Sequence, residues 1–494
     1  MIPPLATEIE CMPKKGPEMS ERVSFQSPLV TRYASAEMCE LFGERNRILT
    51  WRRIWLALVE AQRRAGLNIS AKQIAELKRT LDQIDFEKAA NHEQRLRHDV
   101  MAHLHAWGDV APGARGILHL GATSADIVDN ADLIILRDAL RLIAVWLANA
   151  VDTLADFAKE HRDVPTLGFT HFQPAQVTTV GKRASLWCYD FVRDLEEVEH
   201  RLAGLRFRGI KGATGTQASF LSLVGNDPAK VMALEMEIAK QFGFDAVEPV
   251  TAQTYSRKVD AQVLAVLGYV AAGVHKIAND VRLLAHLKEI EEPFTESQVG
   301  SSAMPYKRNP MLCERATGLA RFVISLVQSS LQTAAEQWLE RTLDDSANKR
   351  LCVPEAFLAT DAMLRIVICV ARGLVVYPKV IESRLRAELP FMATEEILLA
   401  AASAGGDRQE LHERIRRHAQ AAAARVKQEG LENDLLDRLK KDAAFASVKL
   451  DDVTDPQSFV GLASRQVDDF LRHFVGPIRR RYAKDLGSKV EITV

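Results

Sequence analysis

Residues 297–311 read SQVGSSAMPYKRNPM. Two hydroxyls, Ser301 and Ser302, follow Gly300, and Lys307, Arg308 and Asn309 arrive together before Pro310. Glycine and two prolines make the stretch a poor helix and a poor strand. Serine is common in loops for ordinary turn reasons, so the hydroxyls alone say little. The neighbouring charge says more. Cations, free backbone N–H groups and the start of a new helix beyond Pro310 all stabilise negative charge. Such a setting binds a carboxylate, and it lowers the cost of ionising a hydroxyl that is otherwise a very poor base. Adjacent hydroxyls cannot be ranked from sequence, so both serines stand as candidates.

A second chemical group is His171, in FTHFQP, between glycine and proline breaks and beside Thr170 and Gln173. Histidine exchanges a proton near neutral pH, which suits acid–base chemistry. A lone histidine serves equally well as a structural hydrogen-bonding residue, and both roles stay open at this point. Other polar stretches are expected as loops: RHDVMAH (97–103), HLGATSADIVDN (119–130), TLGFTHFQPAQ (166–176), QTYSRK (253–258) and RTLDDSANKR (341–350). Loops held by rigid helices are common places for sites. Several other chemistries are excluded. His98, His103 and His105 are spaced by five and two residues, which does not put two imidazoles on one helical face, and HExxH is absent. KGATGTQASF (211–220) lacks the context of a dinucleotide or P-loop site. GSSAM is not a nucleophile elbow.

The elements that must position these groups read as helices. Apolar residues run Val180, Ala184, Trp187, Phe191, Leu195, Val198, Leu202, Leu205, in steps of three and four. A second ladder runs from Val259 through Val270 to Leu284, and a weaker third from Ile143 to Ala158. Residues 311–340 and 354–374 are also helix-like and start just after prolines. Helices this long must bury their stripes against one another. The expectation is an all-α chain: a flexible arm over 1–24, a helical domain over 25–123, a bundle of long helices over 124–376 and a helical domain over 377–494. The strand signal is weak apart from short runs such as DAVEPVTAQTY (245–255).

The chain's 494 residues exceed one core. A net charge of −1 lacks the broad basic footprint of a nucleic-acid binder, and RRRYAK (479–484) reads as a solvated helix end. No apolar run is expected to span a membrane. The cysteines are scattered without a CxxC pair, so a reduced, cytoplasmic compartment is expected.

GSSAMPYKRNP resembles the signature loop of the fumarase/aspartase superfamily, whose members release fumarate from succinyl-type substrates. The loop alone leaves argininosuccinate lyases, fumarases and aspartases open. RHDVMAH, LGATSADIVDNAD, TLGFTHFQPAQ, RFRGIKGATGTQASF, QTYSRK, RTLDDSANKR and LPFMATEE together resemble the adenylosuccinate lyase family, from about Ser27 into the C-terminal part. Tyr306 stands where many members carry histidine, and Ala252 where several carry glycine. The resemblance implies three mostly helical domains, with the long helices forming a twenty-helix core in a homotetramer and each active site shared between subunits. It implies a β-elimination without metal or cofactor on small nucleotide substrates, with neither nucleic acid nor membrane as partner. By resemblance Ser301 is the base, with Ser302 the runner-up, and His171 the acid, with His98 able to assist it. Lys307 and Asn309 hold the succinyl carboxylates, with Thr123, Ser124 and Gln253 completing the clamp. Arg32, Tyr33, Arg341, Ser346 and Arg350 take the phosphate end. Arg97, His98 and Asp99 lie nearer the base and leaving group, and Arg315 follows the signature loop.

Overall fold

A computed structural model describes residues 25–294, 298, 300–450, 455–488, 490 and 492. The expected arm over 1–24 lies outside them. The elements that matter for the site are, in chain order, α1 (Glu44–Arg64), α2 (Asp99–Val110), α3 (Ser124–Glu160), β1 (Pro165–Thr170), β2 (Gln173–Thr179), α4 (Val180–Gly204), α5 (Lys258–His286), β3 (Ile290–Glu291), α6 (Met311–Ala335), α7 (Asp344–Gly373), β4 (Val375–Val376) and α8 (Pro378–Met392). Among the described residues the fold is all-α apart from two short two-stranded sheets.

The apolar ladders become the core. On α4, Val180, Ala184, Trp187, Phe191, Leu195 and Val198 are buried; on α5, Val263, Val266, Val270, Val274, Ile277, Val281 and Leu284 are buried. Each such aliphatic side chain contributes about 1.5–3 kcal/mol when fully buried, so these stripes dominate the cohesion of the bundle. α4 and α5 approach closely at Gly273, where an added Cβ would stand 3.0 Å from the Asp194 carboxylate and 3.5 Å from the Phe191 ring. α5 is long and apolar enough to cross a membrane, contrary to the sequence expectation; 56% of its most apolar window is buried inside the chain, as in a core helix. A separate apolar cluster, with Ile397, Leu411, Ile415, Leu435, Leu439 and Phe445, sits in the C-terminal part.

Four expectations about elements are corrected. The third ladder, Ile143–Ala158, is the back half of α3, the 37-residue helix that starts at Ser124. The helix expected from Pro354 starts at Asp344, so Pro354 lies inside it. Proline has no N–H, and the carbonyl of Arg350, one turn back, therefore loses its helical donor. TLGFTHFQPAQ is a β-hairpin rather than an open loop, while 245–255 contains only an isolated bridge from Val247 to Phe207.

Candidate active site

Several expected loops prove to be helix N-termini. His98 caps α2, its Nδ1 3.4 Å from the Met101 N–H. Thr123 caps α3, its N–H donating to the Asp126 carboxylate at 2.8 Å. These two helix starts meet: His98 Nε2 lies 3.3 Å from Ser124 Oγ. Beside them Arg350, on α7, donates to the Asp99 carboxylate at 2.8 Å. Burial pushes the Asp99 carboxyl up, but the Arg350 hydrogen bond, the Val100 N–H and the nearby positive charges outweigh it and hold it below the usual range. Arg341, Ser346 and Arg350 then line one cavity of about 210 Å³. Asp129, Asp132, Asp260 and Asp345 line it too, so its wall is of mixed charge, and the Arg341 and Arg350 guanidinium groups with the Ser346 hydroxyl are the part suited to an anionic ligand.

The cavity wall itself belongs to a largely buried charge network that the sequence reading did not assign. Arg257 holds Asp129 through both terminal nitrogens at 3.1 Å and Asp345 through Nε at 2.6 Å. Asp345 in turn accepts from Arg341 at 3.2 Å, which fixes that guanidinium at the cavity wall. Lys349 bonds the Tyr255 hydroxyl at 2.8 Å and Asp132 at 3.2 Å, and Tyr255 donates to Asp260 at 2.6 Å. Arg208 pairs with fully buried Asp126 and donates to the Gln253 carbonyl. Asp126, Asp129 and Asp132 recur every three residues on one face of α3, and that spacing within an apolar helix was the available signal.

Ser301 sits in a stretch, 300–310, with neither helix nor strand. Its Oγ accepts from the backbone N–H groups of Met304 (3.1 Å) and Ala303 (3.4 Å). N–H donors aimed at a hydroxyl oxygen favour its ionised form. Asn309 donates to the Gly300 carbonyl at 2.6 Å, closing the loop on itself. Gly300 is required there, because a Cβ would come within 2.2 Å of the Lys307 carbonyl. Lys307 has no carboxylate partner among the described residues. Residues 295–297 and 299 lie outside them.

His171 and Phe172 form the tip of the β1–β2 hairpin, closed by the Thr170–Gln173 pair. Their φ angles are +53° and +57°. A two-residue turn with both angles positive normally selects glycine or asparagine, and the left-handed region costs other residues about 1–2 kcal/mol each. The fold keeps an exposed imidazole there despite that cost.

The remaining expected residues are placed as follows. Arg32 is exposed on the short helix Leu29–Tyr33, and the Arg315 guanidinium stacks 5.4 Å from the Tyr33 ring. Arg97 is exposed at a left-handed cap, φ +56°. The Gln253 side chain donates to the Ala213 carbonyl at 3.1 Å. Three groups thus stand apart within one chain: the cavity with the α2 and α3 starts, the Ser301 loop, and the His171 hairpin. No hydrogen bond or ion pair among the described residues joins His171 to Ser301, or either to the cavity.

Comparison with known proteins bears on this geometry. Residues 43–325 match a family model described as lyase, and residues 390–470 match one described as adenylosuccinate lyase C-terminus. The adenylosuccinate lyase of Saccharomyces cerevisiae is 50% identical over 95% of this chain and 99% of its own length. That of Schizosaccharomyces pombe is 51% identical over 92% and 95%. The crystal structure of a fumarate lyase from Mesorhizobium sp. BNC1 superimposes with a TM-score of 0.77 at 25% identity, covering 90% of this chain and 99% of the other.

Proposed function

This chain belongs to the adenylosuccinate lyase family, a carbon–nitrogen lyase that eliminates fumarate from adenylosuccinate to give AMP, and from that premise we propose which of its residues perform the reaction. The elimination breaks a C–H bond next to a carboxylate and a C–N bond, and forms the C=C bond of fumarate. Ser301 takes the proton. Lys307 and Asn309, with the Thr123 and Ser124 N-terminus of α3 and Gln253, hold the succinyl carboxylates and the charge that spreads into them. His171 protonates the departing nitrogen, with His98 beside it. Arg341, Ser346 and Arg350, with Arg32 and Tyr33, hold the phosphate, and Arg97, Asp99 and Arg315 shape the nucleotide end. The same chemistry fits the succinyl-aminoimidazole carboxamide ribotide.

The observation that carries this assignment is the Ser301 oxygen, which accepts two backbone N–H groups within the loop that also carries Lys307. The Ser302 hydroxyl, by contrast, has no partner among the described residues. The oligomer belongs to the proposal as well. Leu186, Tyr269, Leu283, Ile324 and Leu331, on α4, α5 and α6, are 42–56% exposed. Apolar surface on the long helices calls for further copies of the chain, which supports a homotetramer whose sites combine groups from several subunits. Cytoplasmic residence is supported by free thiols at Cys188, Cys313 and Cys352.

The test measures fumarate release by Ser301→Ala, Ser302→Ala and His171→Ala. The first and third lower kcat by on the order of 10²–10⁴-fold, the usual range for a lost acid or base. Ser302→Ala retains most of it. Full turnover by Ser301→Ala moves the base elsewhere, and release from argininosuccinate in preference to adenylosuccinate overturns the substrate.

A further inference from the structure

One carboxylate in the structure is shared between the signature loop and the entry to the C-terminal part. Glu291 ends the β3 strand and pairs with Val375 of β4. The Tyr377 hydroxyl donates to Glu291 Oε2 at 2.9 Å. Arg308 Nη1 lies 3.6 Å from the same oxygen and 3.5 Å from the Tyr377 hydroxyl, and its guanidinium stands 5.4 Å from the Phe294 ring. Tyr377 is itself fixed by its N–H to the Glu289 carbonyl at 2.9 Å, immediately before α8. The residue just past β3, Glu292, anchors the far end of the segment, accepting from the Leu312 and Cys313 N–H groups at 3.0 Å each.

We propose that Arg308 is a positioning residue: held by Glu291, Tyr377 and Phe294, it sets where Lys307 and Asn309 stand, and through the contacts of Gly300 it sets Ser301. This rests on the reading that Ser301 and Lys307 serve the elimination. Arg308 lies between Lys307 and Asn309 in sequence, so its anchor constrains both. Asn309 donates to the Gly300 carbonyl, and the Lys307 carbonyl packs on the Gly300 α-carbon with no room for a Cβ. Ser301 follows directly. The Arg308 side chain is 53% exposed and Glu291 23% exposed, so the pair adds little to stability. Its effect is on geometry, where a small displacement of reacting groups costs rate.

The test is a set of conservative changes read as kcat and KM separately. Tyr377→Phe and Glu291→Gln leave the arginine in place but remove its anchor. Each lowers kcat by about tenfold, the scale of a modest misplacement, while the circular dichroism spectrum is unchanged. Arg308→Met lowers it at least as far, and Arg308→Lys recovers part of the loss. Arg308→Met combined with Tyr377→Phe is no worse than Arg308→Met alone, because both act through one contact. Should Tyr377→Phe and Glu291→Gln both keep wild-type kcat while Arg308→Met does not, Arg308 acts on the substrate directly and the proposal fails. Ser301→Ala, run in parallel, separates the two readings: its full activity overturns the assigned base, whereas its inactivity beside unaffected Tyr377 and Glu291 variants overturns only the anchor.

Discussion

Arg350, which we propose holds the phosphate, would join structure to binding. Its guanidinium pairs with Asp99 at one end of the cavity, yet the side chain remains 55% exposed. It can therefore exchange part of that contact for a phosphate, which its planar fork grips through two oxygens. Hydrogen bonds to charged groups contribute about 1.5–3 kcal/mol each. Arg350→Ala should raise KM by on the order of tenfold or more, with kcat nearly unchanged, because phosphate lies far from the bond that breaks. Arg350→Lys should rescue little, since an ammonium offers no fork. Steady-state kinetics decide this, and an equal fall in kcat would place Arg350 at the reacting end. At this scale the sequence was partly legible. Ser301, Lys307 and Asn309 are neighbours in the chain, so their place in one loop, closed by Asn309 on the Gly300 carbonyl, could be read from spacing. Arg257 and Asp129 are separated by 128 residues, and Arg208 and Asp126 by 82, so their pairing could not.

At the scale of elements, the long helices were legible because apolar steps of three and four leave a continuous stripe. The hairpin was not. Its inward cross-strand pair is Leu167 with Val177, and one buried apolar pair leaves no alternation to detect. Helix starts were misread as loops because Thr123, Ser124, His98 and Asp99 have the polar composition of both. The α4–α5 contact carries a titratable defect. Asp194 is buried against Gly273, and its Oδ2 has no hydrogen-bond partner among the described residues. Burial, with Asp190 and Glu197 nearby, raises its pKa from 3.8 to about 7. The folded chain therefore holds this proton where the unfolded chain has released it. Stability accordingly falls as pH rises from 3.8 to about 7, by about 1.4 kcal/mol per unit, and is then flat. Asp194→Asn removes the ionisation. Its melting temperature should exceed that of the parent chain at pH 8 and match it near pH 4. An identical difference at both values would mean that packing, not charge, sets the effect.

At the scale of the whole molecule, the separation of the chemical groups is the central fact. The His171 hairpin packs beside α8, the Ser301 loop lies between β3 and α6, and the cavity is lined from α1, α3, the start of α5 and α7. In the proposed tetramer these regions would become one site as copies of the chain bring a hairpin, a loop and a cavity together, with the exposed apolar residues along α4, α5 and α6 as the surface for that assembly. The consequence is measurable with two dead variants. Ser301→Ala and His171→Ala, each inactive alone, are mixed in equal amounts, dissociated under mild denaturant and allowed to reassemble. If the two groups of each site come from different subunits, random assembly gives a site both intact residues when each contributing copy is the right one of two. About a quarter of the sites then regain wild-type composition. Turnover should rise to about that fraction of the parent enzyme, and stay at the level of the separate variants when they are mixed without dissociation. If both residues came from one chain, every hybrid site would lack one of them. Reassembly would then restore nothing, and the shared-site architecture would be wrong.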